Sequence, residues 1–257
     1  MKKITLAEQK EIQLKMLQEI DAFCREHSIK YSLAFGTLLG AVRHHGYIPW
    51  DDDVDLLMPL PDMIRFKNEF VSDSLKYCDA DTEKHFEFPF SRIANVMTYN
   101  KRGIIAKSYG ICIDLYPVIS VPKLEEERKS FFSQAELLVQ KRLSYLKWNA
   151  RAIRYFPVYS IPGFDRFVKR YRDFMLNEEL YGKTGVYYIV AGPLSHQKQD
   201  TYYIDLFEEL IELDFEGFKF LSTAHFDTYL SQSYGDYMQL PPEDQRNPYH
   251  GGNYYWK

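Results

Sequence analysis

Residues 47–60 read YIPWDDDVDLLMPL, and this stretch limits what the chain can become. Asp51, Asp52, Asp53 and Asp55 stand between two apolar runs, where the pattern is entering a buried strand. An unpaired buried carboxylate is costly, so a chain that places four of them here must give them partners. In extended backbone, residues two apart share a face. Asp51, Asp53 and Asp55 are therefore expected to project together, with Asp52 and Val54 turned the other way. Three carboxylates on one face repel one another unless a cation lies between them.

Three readings compete for the cluster. A solvated acidic loop or a set of helix-capping aspartates is the ordinary fate of a charge run, but the apolar flanks oppose it. A calcium loop matches at Asp51, Asp53 and Asp55 and fails at Leu56, where glycine is needed, and at Asp62, where glutamate is needed. A magnesium site for phosphoryl chemistry needs a few hard carboxylates with room for water and phosphate oxygens. Two neighbours favour it. Upstream, IKYSLAF (residues 29–35) reads as a strand, and Gly36, Thr37 and Gly40 open the short helix TLLGAVRHHG, a turn that offers backbone N–H groups to an anion. Downstream, Asp114 is the one acid in the apolar strand GICIDLYPVI, residues 110–119.

Elsewhere the pattern is easier. Thr5-Leu6-Ala7-Glu8 has the form of a capping box, and Ile12, Met16, Ile20 and Phe23 recur at helical spacing to about His27. VDLLM is a strand, Pro61 suits the first turn of a helix to about Val71, and PFSRIANVMT (89–98) is a further strand candidate. Helices are expected over 123–149 and 163–181, and a hairpin over 208–222 turning at Glu216-Gly217. A helix near 224–234 precedes a polar, proline-rich tail. The first 120 residues form a mixed sheet with helices, an α/β or α+β arrangement.

The chain has 257 residues, ample for a sizeable core, and a net charge of −4, which argues against a general nucleic-acid binder. The N-terminus is too polar for a signal-peptide core and no run of about 18 apolar residues occurs, so a soluble cytoplasmic protein is expected. Cys24, Cys78 and Cys112 are widely spaced among apolar neighbours and read as reduced core thiols.

FGTLLGAVRHHGYIPWDDDVDLLMP resembles, nearly residue for residue, the signature of the LicD family. GICIDLYPV and YGDYMQLPPEDQR resemble its later blocks in the same order. The resemblance implies an α+β fold: a nucleotidyltransferase-like mixed sheet flanked by helices over residues 1–120, with a helical and hairpin extension over 121–257. It also implies transfer of a phospho-alcohol, phosphocholine first and glycerol phosphate or ribitol phosphate as alternatives, from a CDP-activated donor. The acceptor is a glycan hydroxyl, with teichoic acid, capsule or lipopolysaccharide precursors in view, and CMP leaves. A rival on the same fold is nucleotidyl transfer; a rival of another class is a non-catalytic glycan-binding module. The cysteines do not reproduce the zinc-binding insertion of fukutin-related members, so no zinc is expected.

Joined to the residue reading, the resemblance assigns Asp53 and Asp55 to Mg²⁺ or Mn²⁺, with Asp51 a further ligand and Asp52 undecided. Asp114 completes the site as metal ligand or proton acceptor. Gly36, Thr37, Arg43, His44, Arg92 and Lys107 are candidates for the donor phosphates, and Asp236 and Arg246 for closing the site. Glu216 is read as a turn residue. Residues 141–172 carry Lys141, Arg142, Lys147, Arg151, Arg154, Arg166, Lys169, Arg170 and Arg172 against the single acid Asp165, interleaved with aromatic rings. They suit either a solvated face or peripheral contact with an anionic membrane holding a lipid-linked acceptor.

Overall fold

The computed structural model describes residues 2–83, 86, 88–100, 109–148, 164–176, 182–191, 196–246 and 253–257. Helix α1 (Leu6–Glu26) begins at the expected capping box: Thr5 Oγ1 accepts from the Glu8 N–H and the Glu8 carboxylate accepts from the Thr5 N–H. Its inner face buries Ile12, Met16, Leu17, Ile20 and Cys24, and with them two amides, Gln9 and Gln13.

Strands β1 (Ser32–Leu33), β2 (Asp55–Pro59), β3 (Leu75–Cys78), β4 (Ser91–Asn95) and β6 (Cys112–Ser120) make a sheet of order β1-β2-β6-β4-β3. Strand β6 is its axis. It runs parallel to β2 along one edge; on the other, β4 pairs antiparallel with its first half and β7 (Tyr187–Ile189) with its last residues. Strand β8 (Thr201–Tyr202) extends the β7 side, and β5 (Thr98–Asn100) pairs with β11 (Tyr254–Trp256) in a separate ribbon. Helices α2 (Phe35–His44) and α3 (Leu60–Glu69) flank β2, while α4 (Glu125–Trp148) and α5 (Phe164–Met175) bury Phe132, Tyr171 and Met175 against Leu60, Ile119 and Tyr188. Hairpin β9 (Leu210–Phe215) and β10 (Phe218–Thr223) docks on β1, where the Thr223 and Leu221 N–H groups donate to Ser32 Oγ and Tyr31 OH. Helix α6 (Phe226–Tyr234) then lies beside α2.

The α+β architecture agrees with expectation, and four local features differ. The strand over 29–35 shortens to β1, because Phe35, at φ 41°, already starts α2. The strand over 89–98 breaks into β4 and β5, since the Asn95 side chain accepts from the Met97 N–H and turns the chain. Residues 51–54 are not strand; β2 begins at Asp55. Strands β3, β7, β8 and β11 are two to four residues long and carry too little pattern to be read alone. The hairpin turns where expected, with Glu216 and Gly217 at φ 52° and 79°, and Glu216 also accepts from the Tyr47 N–H, tying the tip to the loop after α2. All three cysteines are free thiols, and among the described residues no helix is long and apolar enough to cross a membrane.

Gly40 gives a test of this packing. Glycine to alanine normally stabilises a helix interior by about 1 kcal/mol. Here a Cβ would fall inside contact distance of the Gly46 carbonyl, which is backbone and cannot swing away. Gly40→Ala is expected to lower Tm by about 4 °C or more in a thermal melt, where propensity alone predicts a rise.

Candidate active site

The acidic segment is fastened from three sides through its backbone. Gln9 and Gln13 of α1 donate through Nε2 to the Asp52 carbonyl at 2.6 and 3.3 Å. The Asp55 N–H donates to Thr37 Oγ1 of α2 at 2.9 Å, and the Asp114 N–H of β6 donates to the Val54 carbonyl at 3.0 Å. Within the segment the Asp52 N–H donates to Asp51 Oδ1 at 3.0 Å. Strand register then lines up the charges: Asp55 pairs with Asp114 across β2 and β6, and Asp114 with Arg92 across β6 and β4. Directly paired residues share a face, so Asp55, Asp114 and Arg92 form one row. Arg92 grips Asp114 with Nε and Nη2 at 2.7 and 2.9 Å, while its guanidinium lies 3.8 Å from the Phe88 ring centre.

Asp51, Asp53 and Asp55 line a cleft of about 760 Å³, bounded by Gly36 and Arg43 of α2, by Trp50, and by the chain from Tyr234 to Gln245. Asp52 does not line it and is 3% exposed. Asp52 lines a smaller cavity instead, which Asp53 and Val54 also line. Asp52 is nonetheless close: oxygens of Asp51, Asp52 and Asp53 lie within 4.8 Å of one another, the one such carboxylate group that could hold a metal among the described residues. This second, polar cavity of about 70 Å³ has Gln13, Arg92, Asn100 and Asp114 in its wall, and Asp53 borders both spaces.

Crowding shows in the electrostatics. Burial, then the charge of Asp53 and a hydrogen bond with it, push the Asp51 carboxyl up to about 7. The Tyr116 phenol rises well above its usual range through burial, then Asp55, Asp114 and Asp53. The Tyr234 phenol also rises through burial and then Asp55, Asp51 and Asp53.

The remaining candidates are placed as follows. Gly36 abuts Asp51, whose carboxylate occupies the space a Cβ would need. Thr37 is buried and turned toward β2. Arg43 borders the cleft with its guanidinium on tail carbonyls and on His44 Nε2. Arg92 faces Asp114 and the small cavity. Asp236 borders the cleft, while Arg246 packs over Trp50 at 5.3 Å and donates to the Pro241 carbonyl. Lys107 lies outside the described residues, as do the side chains of 141–165. In the rest of that basic stretch Arg166, Lys169 and Arg170 are exposed on α5, Lys169 being paired with Asp81. Arg172 is 8% exposed and holds Asp79, Asp81 and Asp173, which takes it off any outward patch.

Sequence reasoning passed over Gln9, Gln13, Trp50 and Tyr234. The two glutamines had a signal: amides four apart on the apolar face of an amphipathic helix must find buried partners. Trp50 and Tyr234 had none, because their place depends on how the tail returns to α2.

Residues 28–141 match a family model described as LicD/FKTN/FKRP, nucleotidyltransferase domain. The chain is similar, at 28% identity over 265 aligned positions covering 97% of each protein, to the lipopolysaccharide cholinephosphotransferase LicD of Haemophilus influenzae. It is 39% identical over 67 residues to an uncharacterized protein of Rickettsia typhi (26% of this chain, 22% of that one) and 41% identical over 56 residues to one of Rickettsia prowazekii (21% of each). Both the matched segment and the geometry above centre on the fastened acids: residues 28–141, the part of the chain similar to the LicD/FKTN/FKRP nucleotidyltransferase domain, contain Asp51, Asp52, Asp53, Asp55 and Asp114.

Proposed function

We propose that the protein transfers phosphocholine from CDP-choline to a hydroxyl of a cell-surface glycan precursor, releasing CMP. The observation that carries this reading is the cleft walled by Asp51, Asp53 and Asp55, together with likeness along nearly the whole chain to a cholinephosphotransferase. The donor set fits a divalent cation: carboxylate oxygens of Asp51, Asp52 and Asp53 lie within 4.8 Å of one another, Asp55 lines the same cleft as Asp51 and Asp53, and burial, then Asp53, pushes Asp51 toward neutrality. Asp53 and Asp55 would hold Mg²⁺ or Mn²⁺, with Asp51 a further ligand. Such an ion supplies a Lewis acid for phosphoryl oxygens and offsets charge on the diphosphate.

The chain's own residues do the rest. The glutamines of α1 and Thr37 of α2 fix the backbone of the acidic segment, so the carboxylates need not reorganise as substrate binds. Trp50, Tyr234 and the tail wall off one side of the donor. Asp114, oriented by Arg92, faces the small cavity and takes the acceptor proton there. The bond from acceptor oxygen to phosphorus forms as the bond to CMP breaks, and the proton passes from Asp114 to solvent. The acceptor is a teichoic acid, capsule or lipopolysaccharide precursor carried on lipid, reached from the cytoplasmic face of the membrane, with exposed Arg166 and Arg170 available to anionic headgroups.

Two outcomes are expected. With Mg²⁺, CDP-choline should release CMP faster than CDP-glycerol or CDP-ribitol. A CDP-glycerol or CDP-ribitol preference would move the reading to glycerol or ribitol phosphate transfer, and no release from any donor would remove it. Asp53→Asn should lower kcat by about 10²-fold or more with an unchanged circular dichroism spectrum.

A third outcome concerns pH. Because the Asp51 carboxyl is raised, between about pH 4 and 7 the folded state keeps a proton the unfolded chain has released, so stability falls as pH climbs through that window. In EDTA at pH 8, Asp51→Asn is expected to raise Tm by about 2–4 °C, with the gain shrinking toward pH 5. Added Mg²⁺ should raise Tm more in the native protein than in the variant.

A further inference from the structure

The chain from Gly235 to Arg246 forms one wall of the cleft, yet several of its side chains, Asp236, Met238, Gln239 and Leu240 among them, are exposed. Burial therefore does little to keep it in place; hydrogen bonds to its backbone do more. Arg43 donates from Nη1 to the Tyr237 carbonyl at 2.6 Å and the Gln239 carbonyl at 3.3 Å, and from Nε to His44 Nε2 at 3.0 Å. His44 can accept that bond because it is a neutral imidazole: burial, then the Arg43 charge, lowers its pKa. On the far side of Trp50, Arg246 donates to the Pro241 carbonyl at 2.8 Å and lies 5.3 Å from the indole centre, while the His44 ring meets the same indole edge-on at 6.2 Å. Arg43, His44, Trp50 and Arg246 thus form a continuous seam joining the end of α2 to the tail. A further hydrogen bond, from Tyr237 OH to the Asp227 carboxylate, ties the tail to α6.

We infer that Arg43 and Arg246 are positioning residues, which act on the donor through the 235–246 wall rather than by touching its phosphates. A guanidinium has its donors in a fixed planar fork, and that of Arg43 is aimed at two tail carbonyls two residues apart, the geometry of a clamp on main chain. Loss of the clamp leaves the acidic segment intact, since its fastenings to α1, α2 and β6 do not pass through Arg43. The wall then loosens, and donor binding weakens while the chemistry at phosphorus proceeds. The donor's identity rests on the function proposed above; the seam does not.

The test uses the full-length protein carrying Arg43→Gln, Arg43→Lys or Arg246→Gln, with hydrogen exchange read without ligand and kinetics read with CDP-choline and Mg²⁺. In Arg43→Gln, amides of 235–246 are expected to exchange about tenfold faster or more, with β2 and β6 unchanged. KM for CDP-choline should rise about tenfold while kcat stays within about threefold. Arg43→Lys, which keeps a donor for one carbonyl, should fall between the two. Exchange equal to the native protein's in Arg43→Gln, with kcat reduced, would show a direct phosphate ligand and overturn the inference. Should Arg43→Gln fail to fold, Arg246→Gln at the rim decides by the same two readouts. Wild-type protein inactive on CDP-choline would remove the proposed donor, while the exchange result would still accept or reject the clamp.

Discussion

Buried carboxylates that repel one another are the constraint on which this architecture turns. Asp51, Asp52 and Asp53 are held with oxygens within 4.8 Å, and burial, then the charge of Asp53, drives Asp51 toward its neutral form. A flexible loop would relieve that repulsion by turning the acids out to water. This one cannot, because its amides and carbonyls are engaged by Gln9 and Gln13, by Thr37 and by Asp114, each from a different element. The folded state thus stores unfavourable electrostatics at the site and offsets them by burying α1 and α2 on the sheet.

The same constraint explains why Arg92 stands on β4. Asp55 and Asp114 are direct neighbours across parallel strands, and a third charge in their row had to be positive or absent. Arg92 neutralises Asp114 from the side away from the cleft and covers its own stem with Phe88 and Phe90. Asp51, Asp53 and Asp55 line the cleft side. The division is consistent with one group of acids serving a cation and another acid, already paired, serving a proton or a hydroxyl.

How much of this was legible in the sequence depended on whether the cause was local. The capping box at Thr5 and Glu8 and the turn at Glu216-Gly217 are local, and both form as read. Asp51, Asp53 and Asp55 line one cleft as the strand reading placed them, although residues 51–54 are not strand and the Asp52 oxygens stay within 4.8 Å of those of Asp51 and Asp53. The short strands β3, β7, β8 and β11 were not legible, since their order comes from the neighbours each pairs with. Arg43 shows the limit most clearly. From sequence, a cation after a glycine turn suggests a phosphate, whereas its partners in the fold are carbonyls nearly two hundred positions away.

That reassignment changes the electrostatic reading of the whole cleft. With Arg43 engaged by the tail, Arg92 by Asp114 and Arg246 by Pro241 and Trp50, the arginines at and around the cleft are spent on the protein itself. The walls keep Asp51, Asp53, Asp55 and Asp236, a surface that repels a diphosphate across a few ångströms with little water to screen it. A divalent cation held by these acids, as proposed above, would give a nucleoside diphosphate donor the positive charge that the engaged arginines do not offer.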